Sequence, residues 1–222
     1  MTLTYDLYWS FRSPYSYFLM SRLAQLEREY DVRGRIRPVY PLAVRQPEFF
    51  EKRDPLWFGY FMRDIQREAE FLGLPFRWPR PDPVVMDRAT GTYPTEQPHI
   101  YRLTRLGAAA VERGRGLQFL DEASHVIWSG SVDNWHEGDH LARAAARAGL
   151  DPTELARTVD REGARLDALI RENQADQRKA GHYGVPLLVF NDEPFFGQDR
   201  FDQFRWRLEQ QGLAKRRLQT TG

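Results

Sequence analysis

The chain has no cysteine among its 222 residues. That excludes a disulfide framework, a Cys-ligated zinc and a thiol nucleophile. Any sulfur chemistry must use a thiol that arrives with a ligand. Excess charge is missing too. The 32 basic and 31 acidic residues leave a net charge of +1, which gives no global field to hold nucleic acid or an anionic membrane. Long apolar runs are absent: stretches such as Val185–Phe190 reach about six residues, far short of the roughly 20 that a membrane helix needs. The opening Met1-Thr2-Leu3-Thr4-Tyr5-Asp6 lacks the basic-then-apolar pattern of a signal peptide. The expectation is a soluble cytoplasmic protein with neither nucleic-acid nor membrane partners.

What is present suffices for a core. The composition is 41% hydrophobic and 14% aromatic, which excludes a wholly disordered chain. The length suits one domain, or two that share a continuous core. Residues 3–9 read as a buried strand, and Ser13-Pro14 opens a helix with Ser13 as N-cap and Pro14 at its first position. Arg35–Tyr40 is a second strand. Phe58, Phe61, Ile65, Ala69 and Leu72 share one helical face, stopped by Gly73-Leu74-Pro75. Prolines break residues 75–98 into loop. Helices are expected over Tyr101–Arg113, Leu117–Ile127 and Leu141–Ala148, and again from the Asp151-Pro152-Thr153-Glu154 start to about Lys179. Val185–Phe190 and a strand beginning at Phe195-Phe196 follow, then a helix capped around Gln198-Asp199. Lys215-Arg216-Arg217 reads as a solvated tail. The pattern is strand–helix–strand, a helical block, then strand–strand–helix: an α/β, thioredoxin-like fold with a large all-α insertion between its halves. The expected division is 1–43 with 176–222 as the thioredoxin-like domain and 44–175 as the helical insertion.

Three segments could carry chemistry. In Ser13-Pro14-Tyr15-Ser16, at the strand-to-helix turn, a hydroxyl can donate one hydrogen bond to a bound thiolate beside the helix N-terminus, or serve only as a cap. Gly184-Val185-Pro186 precedes an apolar strand. Its proline either simply starts the strand or forms a cis bond that turns Val185 toward a peptide-like ligand. Gln198-Asp199 is either a helix cap or a grip on a ligand's α-amino and α-carboxylate groups. His136-Glu137-Gly138-Asp139-His140 fits a zinc-protease pattern, but Gly138 and Asp139 are poor helix formers, so it reads as a solvated helix start and no metal is expected. Trp9, Trp57, Trp78, Trp128, Trp135, Trp206, Phe49, Phe50 and Phe58 read mostly as core, with some free to line an aromatic pocket.

Taken together, these motifs resemble the 2-hydroxychromene-2-carboxylate isomerases and kappa-class glutathione transferases, within the disulfide-oxidoreductase-A-like branch of thioredoxin folds. The resemblance runs through Ser13–Tyr17, Tyr60–Asp64, Gly73–Phe76, Trp128, Ala148–Asp151, Asn173, Gly184–Pro186 and Phe195–Arg200. It implies glutathione as cofactor. Ser13 would contact the glutathione sulfur, Val185 would offer its backbone beside a cis-Pro186, and Gln198 and Asp199 would hold the γ-glutamyl end. Arg12 could pair with the thiolate or with a substrate carboxylate. The implied reaction is isomerisation of a conjugated aromatic keto acid by thiolate addition, bond rotation and elimination. A glutathione transferase and a non-enzymatic thioredoxin-like binding protein are the alternatives, and a homodimer is left open. The chain departs from the family in having Ser10 where Asp is usual and Leu187 where Thr is frequent. After Leu42 it reads Arg45-Gln46-Pro47-Glu48, without the Lys and Asn that relatives place near glutathione.

Overall fold

The computed structural model describes residues 2–51, 54–87 and 90–216. Among them, strands β1 (Leu3–Trp9), β2 (Val32–Pro38), β3 (Leu187–Phe190) and β4 (Glu193–Phe196) form one sheet in the order β2-β1-β3-β4. β1 runs parallel to β2, with Leu3 opposite Val32 and Trp9 opposite Pro38, and antiparallel to β3, with Leu7 opposite Leu188. β4 pairs antiparallel to β3. As central strands, β1 and β3 are largely buried on both faces, with Asp6 on one face of β1 paired to Arg35 and Arg37. Tyr5, Leu7, Trp9 and Leu188 point into the main core, while Tyr8, Leu187 and Val189 pack with Val39 on the other face.

Helix α1 (Pro14–Glu29) links β1 to β2. The chain then forms α2 (Leu42–Arg45), α3 (Glu48–Glu51), α4 (Pro55–Leu72), α5 (Ile100–Glu112), α6 (Gly116–Trp128), α7 (His140–Arg147) and α8 (Pro152–Lys179) before returning to β3 and β4. A 3-10 turn at Gln198–Arg200 leads into α9 (Phe201–Gln210). The helical insertion between β2 and β3 is thus in place, and α5, α6 and α8 pack against β2. One buried cluster runs continuously from sheet to insertion, through Trp9, Phe11, Phe18, Phe119 and Trp128. Asp151 caps α8 by accepting the N–H groups of Thr153 and Glu154, as its position before Pro152 dictates. No helix among the described residues is long and apolar enough to cross a membrane.

Several local expectations change. β2 begins at Val32 rather than Arg35, because the Arg33-Gly34-Arg35 stretch is drawn into register by β1. β3 starts after Pro186, which has no N–H to give a ladder. β4 begins at Glu193, just past a turn in which Asn191 and Asp192 take positive φ. On α4, Ile65 and Ala69 are buried but Phe58 is 60% exposed. His136 sits in a turn ahead of α7, with Gly138 at φ +58, so the two histidines do not share a helical face. The basic tail is tethered rather than free: Lys215 bridges to Tyr30, and the Arg216 N–H donates to the Glu29 carbonyl at 2.8 Å. Arg217 lies outside the described residues.

Tyr17 ties α1 to the proline-rich segment by donating its hydroxyl to the Pro75 carbonyl at 2.7 Å. Burial pushes its pKa up to about 12 from the ordinary 10.0. The unfolded chain therefore releases this proton first as pH rises. The stability tied to neutral Tyr17 is complete below pH 10 and is lost as pH climbs through about 12. Between pH 9 and pH 11 the wild type should lose about 1.4 kcal/mol more than Tyr17→Phe, read from urea midpoints at each pH.

Candidate functional site

The site grows from the turn between β1 and α1. Ser13 has extended backbone (φ −105, ψ 114), and its Oγ accepts the Ser16 N–H at 3.2 Å. Pro14 has no N–H, and the Ser16 and Tyr17 amides also reach the Ser13 carbonyl. Among the described residues, the Tyr15 amide is left as the first helical N–H without an acceptor. Ser13 Oγ lies 3.4 Å from the Val185 carbonyl, at the outer edge of hydrogen-bond range. The Val185–Pro186 bond is cis, and the Pro186 carbonyl accepts the Gly197 N–H at 3.0 Å. Ser13, Val185 and Pro186 therefore converge, although 172 positions separate Ser13 from Val185.

The turn is held rigidly from the insertion. Trp128 Nε1 donates to the Phe11 carbonyl at 2.9 Å, with its indole stacked on Phe76. Arg12 makes a bidentate pair with Asp82, at 3.0 and 2.9 Å, and its guanidinium lies over the Trp78 ring. Burial alone lowers the Arg12 pKa, but Asp82, by charge and hydrogen bond, and Tyr93 override it and hold Arg12 above its ordinary value. Asp82 also accepts from Trp78 Nε1 and the Val84 N–H. Arg12 is thus at the site, yet its charge is already neutralised by a carboxylate.

Ser13, Arg12 and Val185 lie in the wall of one cavity of about 680 Å³, a size suited to a small-molecule ligand. Trp57, Phe61, Trp78 and Tyr93 form its aromatic sides, and the exposed Phe58, Tyr183 and Phe196 stand at its margin. Tyr15 also lines it, its hydroxyl donating to Asp64 at 2.6 Å. Burial, then the hydrogen bond to Asp64, raises the Tyr15 pKa far above its ordinary value, so Tyr15 is a neutral wall and not a base. A Cβ at Gly184 would lie 2.3 Å from Phe196 Cε2, so a side chain there would have to displace that ring.

Gln198 and Asp199 stand apart from this lining. Gln198 is buried, accepts from Arg22 at both its backbone carbonyl and Oε1, and donates Nε2 to Glu68 at 2.6 Å. Asp199 is exposed and pairs with Arg200 at 3.0 Å. Gly197 before them has φ +100, and a Cβ there would lie 2.4 Å from Asp199 Oδ1, so the approach of that carboxylate requires glycine.

Trp57, Trp78, Phe49, Phe50 and Phe58 belong to the cavity wall, whereas Trp9, Trp128 and Trp135 are core and Trp206 is half exposed. Sequence reasoning missed Asp82 as the partner of Arg12, and it missed the cavity-lining role of Ser10. The dense prolines around Asp82 signalled loop but not which residue that loop would neutralise.

Residues 4–209 match the DSBA-like thioredoxin domain, and the chain belongs to that family. Over 206 residues it is 25% identical to a 2-hydroxychromene-2-carboxylate isomerase of Sphingobium xenophagum, covering 91% of this chain and 96% of that protein. A solved 2-hydroxychromene-2-carboxylate isomerase superposes with a TM-score of 0.70 at 17% identity, over 94% of this chain and 96% of the other. The cytosolic disulfide reductase DsbM of Pseudomonas aeruginosa, solved with GSH, gives a TM-score of 0.61 at 18% identity, over 94% and 98%.

Replacing Trp128 by Phe keeps an aromatic ring but removes the donor to the buried Phe11 carbonyl. An unmatched buried acceptor costs about 1–3 kcal/mol. Urea unfolding of Trp128→Phe should show an unfolding free energy lowered by that amount, seen as a lower midpoint at unchanged slope.

Proposed function

We propose that this chain binds glutathione at the 10–13 turn and acts as a glutathione-dependent isomerase of a conjugated aromatic keto acid. The observation that carries the reading is the place of Ser13. Its hydroxyl opens α1 inside an aromatic cavity, opposite the Val185 backbone, in a chain that has no thiol of its own. The residues present fit the ligand. The Ser13 hydroxyl is held only at 3.4 Å by Val185, so it can turn to a thiolate, and the Tyr15 amide and the positive end of the α1 dipole favour that negative charge. The Val185 backbone lies beside the same point and can pair with the tripeptide. Asp199, exposed three residues beyond the cavity-lining Phe196, takes the γ-glutamyl ammonium. Gln198 acts less directly, since its amide is engaged by Arg22 and Glu68 and fixes the segment that carries Asp199.

When bound, glutathione supplies a thiolate that adds to the substrate's conjugated double bond, lets the resulting single bond turn, and leaves again to restore the alkene. The chain's own contribution is to hold that sulfur ionised and to place the aromatic reactant against it. Trp57, Phe61, Trp78 and Tyr93 give the flat reactant an apolar seat. The isomerase named among the relatives and the glutathione bound to the DsbM structure support this assignment.

The test joins binding to turnover. Glutathione titrated into the wild type should bind, and 2-hydroxychromene-2-carboxylate should isomerise only when glutathione is present. Ser13→Ala should slow that reaction by roughly 10- to 100-fold, because a hydrogen bond to a charged group is worth about 1.5–3 kcal/mol. Glutathione affinity should change less, since most of the tripeptide is held elsewhere. Full activity in Ser13→Ala would reduce Ser13 to a helix cap.

A further inference from the structure

Among the described residues, the cavity wall contains one buried polar atom that the fold leaves without a partner. Ser10 is 1% exposed and lines the cavity, and no group among the described residues hydrogen-bonds its Oγ. The other buried atoms in that condition, on Ser16, Arg22, Arg45, Arg77 and His136, belong to residues outside the lining. A buried hydroxyl without a partner is unfavourable, so its persistence needs a reason.

The surroundings supply one. The Ser13 N–H donates to the Ser10 carbonyl at 3.2 Å, so one tight turn carries both hydroxyls. Three other polar side chains of the lining are engaged within the chain. Arg12 is bound to Asp82, the Tyr15 hydroxyl donates to Asp64, and Asp54 caps α4 through the Leu56 N–H. Ser10 and Ser13 thus bring two hydroxyl protons together on one turn, next to the unfilled Tyr15 amide at the start of α1. Donors grouped in this way suit an anionic atom.

We propose that Ser10 is a second sulfur-binding residue: its hydroxyl donates to the same thiolate that Ser13 holds. The assignment rests on the glutathione reading above, and it adds a donor at a position where the resemblance leads one to expect a carboxylate.

The experiment compares glutathione with S-methylglutathione, which lacks the ionisable sulfur, by calorimetric titration of the wild type, Ser10→Ala, Ser10→Thr and Ser13→Ala. The wild-type preference for glutathione should fall about 10-fold in Ser10→Ala, the fold-change expected for one hydrogen bond to a charged group. Ser10→Thr, which keeps the hydroxyl, should restore most of it. Without ligand, the melting temperature of Ser10→Ala should equal or exceed that of the wild type, because the change removes an unpartnered polar group. If Ser10→Ala keeps the full preference while Ser13→Ala loses it, the role of Ser10 is overturned and the glutathione site stands. A ligand-free melting temperature several degrees lower in Ser10→Ala also overturns it, since Oγ would then be bonded within the fold. A wild type that binds neither compound overturns the site reading and this inference together.

Discussion

The candidate site depends on one constraint, the fixation of the short turn that joins β1 to α1. Phe11 gives its carbonyl to Trp128, and Arg12 gives its guanidinium to Asp82. Both partners come from the long insertion between β2 and β3. The sheet alone would present Ser13 on a loop free to move. Clamped on both sides, the turn aims the start of a 16-residue helix at a fixed point, and preorganised donors of this kind stabilise charge without having to reorient. The same contacts explain why the insertion and the sheet share one core: the residues that shape the cavity are anchored on those that bury the sheet.

Charge is handled economically around that point. Arg12 is neutralised by Asp82, and Tyr15 is kept protonated by burial and by its bond to Asp64. The described lining therefore offers aromatic surface and a few hydroxyl and amide donors. With no cysteine in the chain, the proposed reaction takes its sulfur from glutathione.

The sequence disclosed what local chemistry dictates. A serine followed by proline marked the start of α1, Asp151-Pro152 marked α8, and the aromatic run at 3–9 marked the central strand; all three stand where those residues require. What stayed hidden was set by distant partners. Arg12 and Asp82 are 70 residues apart, and Gln198 and Glu68 are 130 apart. No spacing rule foretells that Arg22 and Glu68 would take up the Gln198 amide. The extent of β2 was obscured because Arg33-Gly34-Arg35 lacks alternation until Leu3 and Tyr5 impose their register. Phe58 fits the helical period of α4 yet stands exposed beside the cavity, where period alone does not separate a core wall from a binding wall.

The central claim is that the β1–α1 turn holds a ligand's sulfur as a thiolate. Thiolates absorb in the ultraviolet where thiols do not, so a pH titration of glutathione bound to the wild type reads the pKa of that sulfur directly. The account predicts a value well below the ~8.5 of an ordinary cysteine thiol, as donors at a helix N-terminus produce. A bound thiol that titrates at or above that value would contradict it.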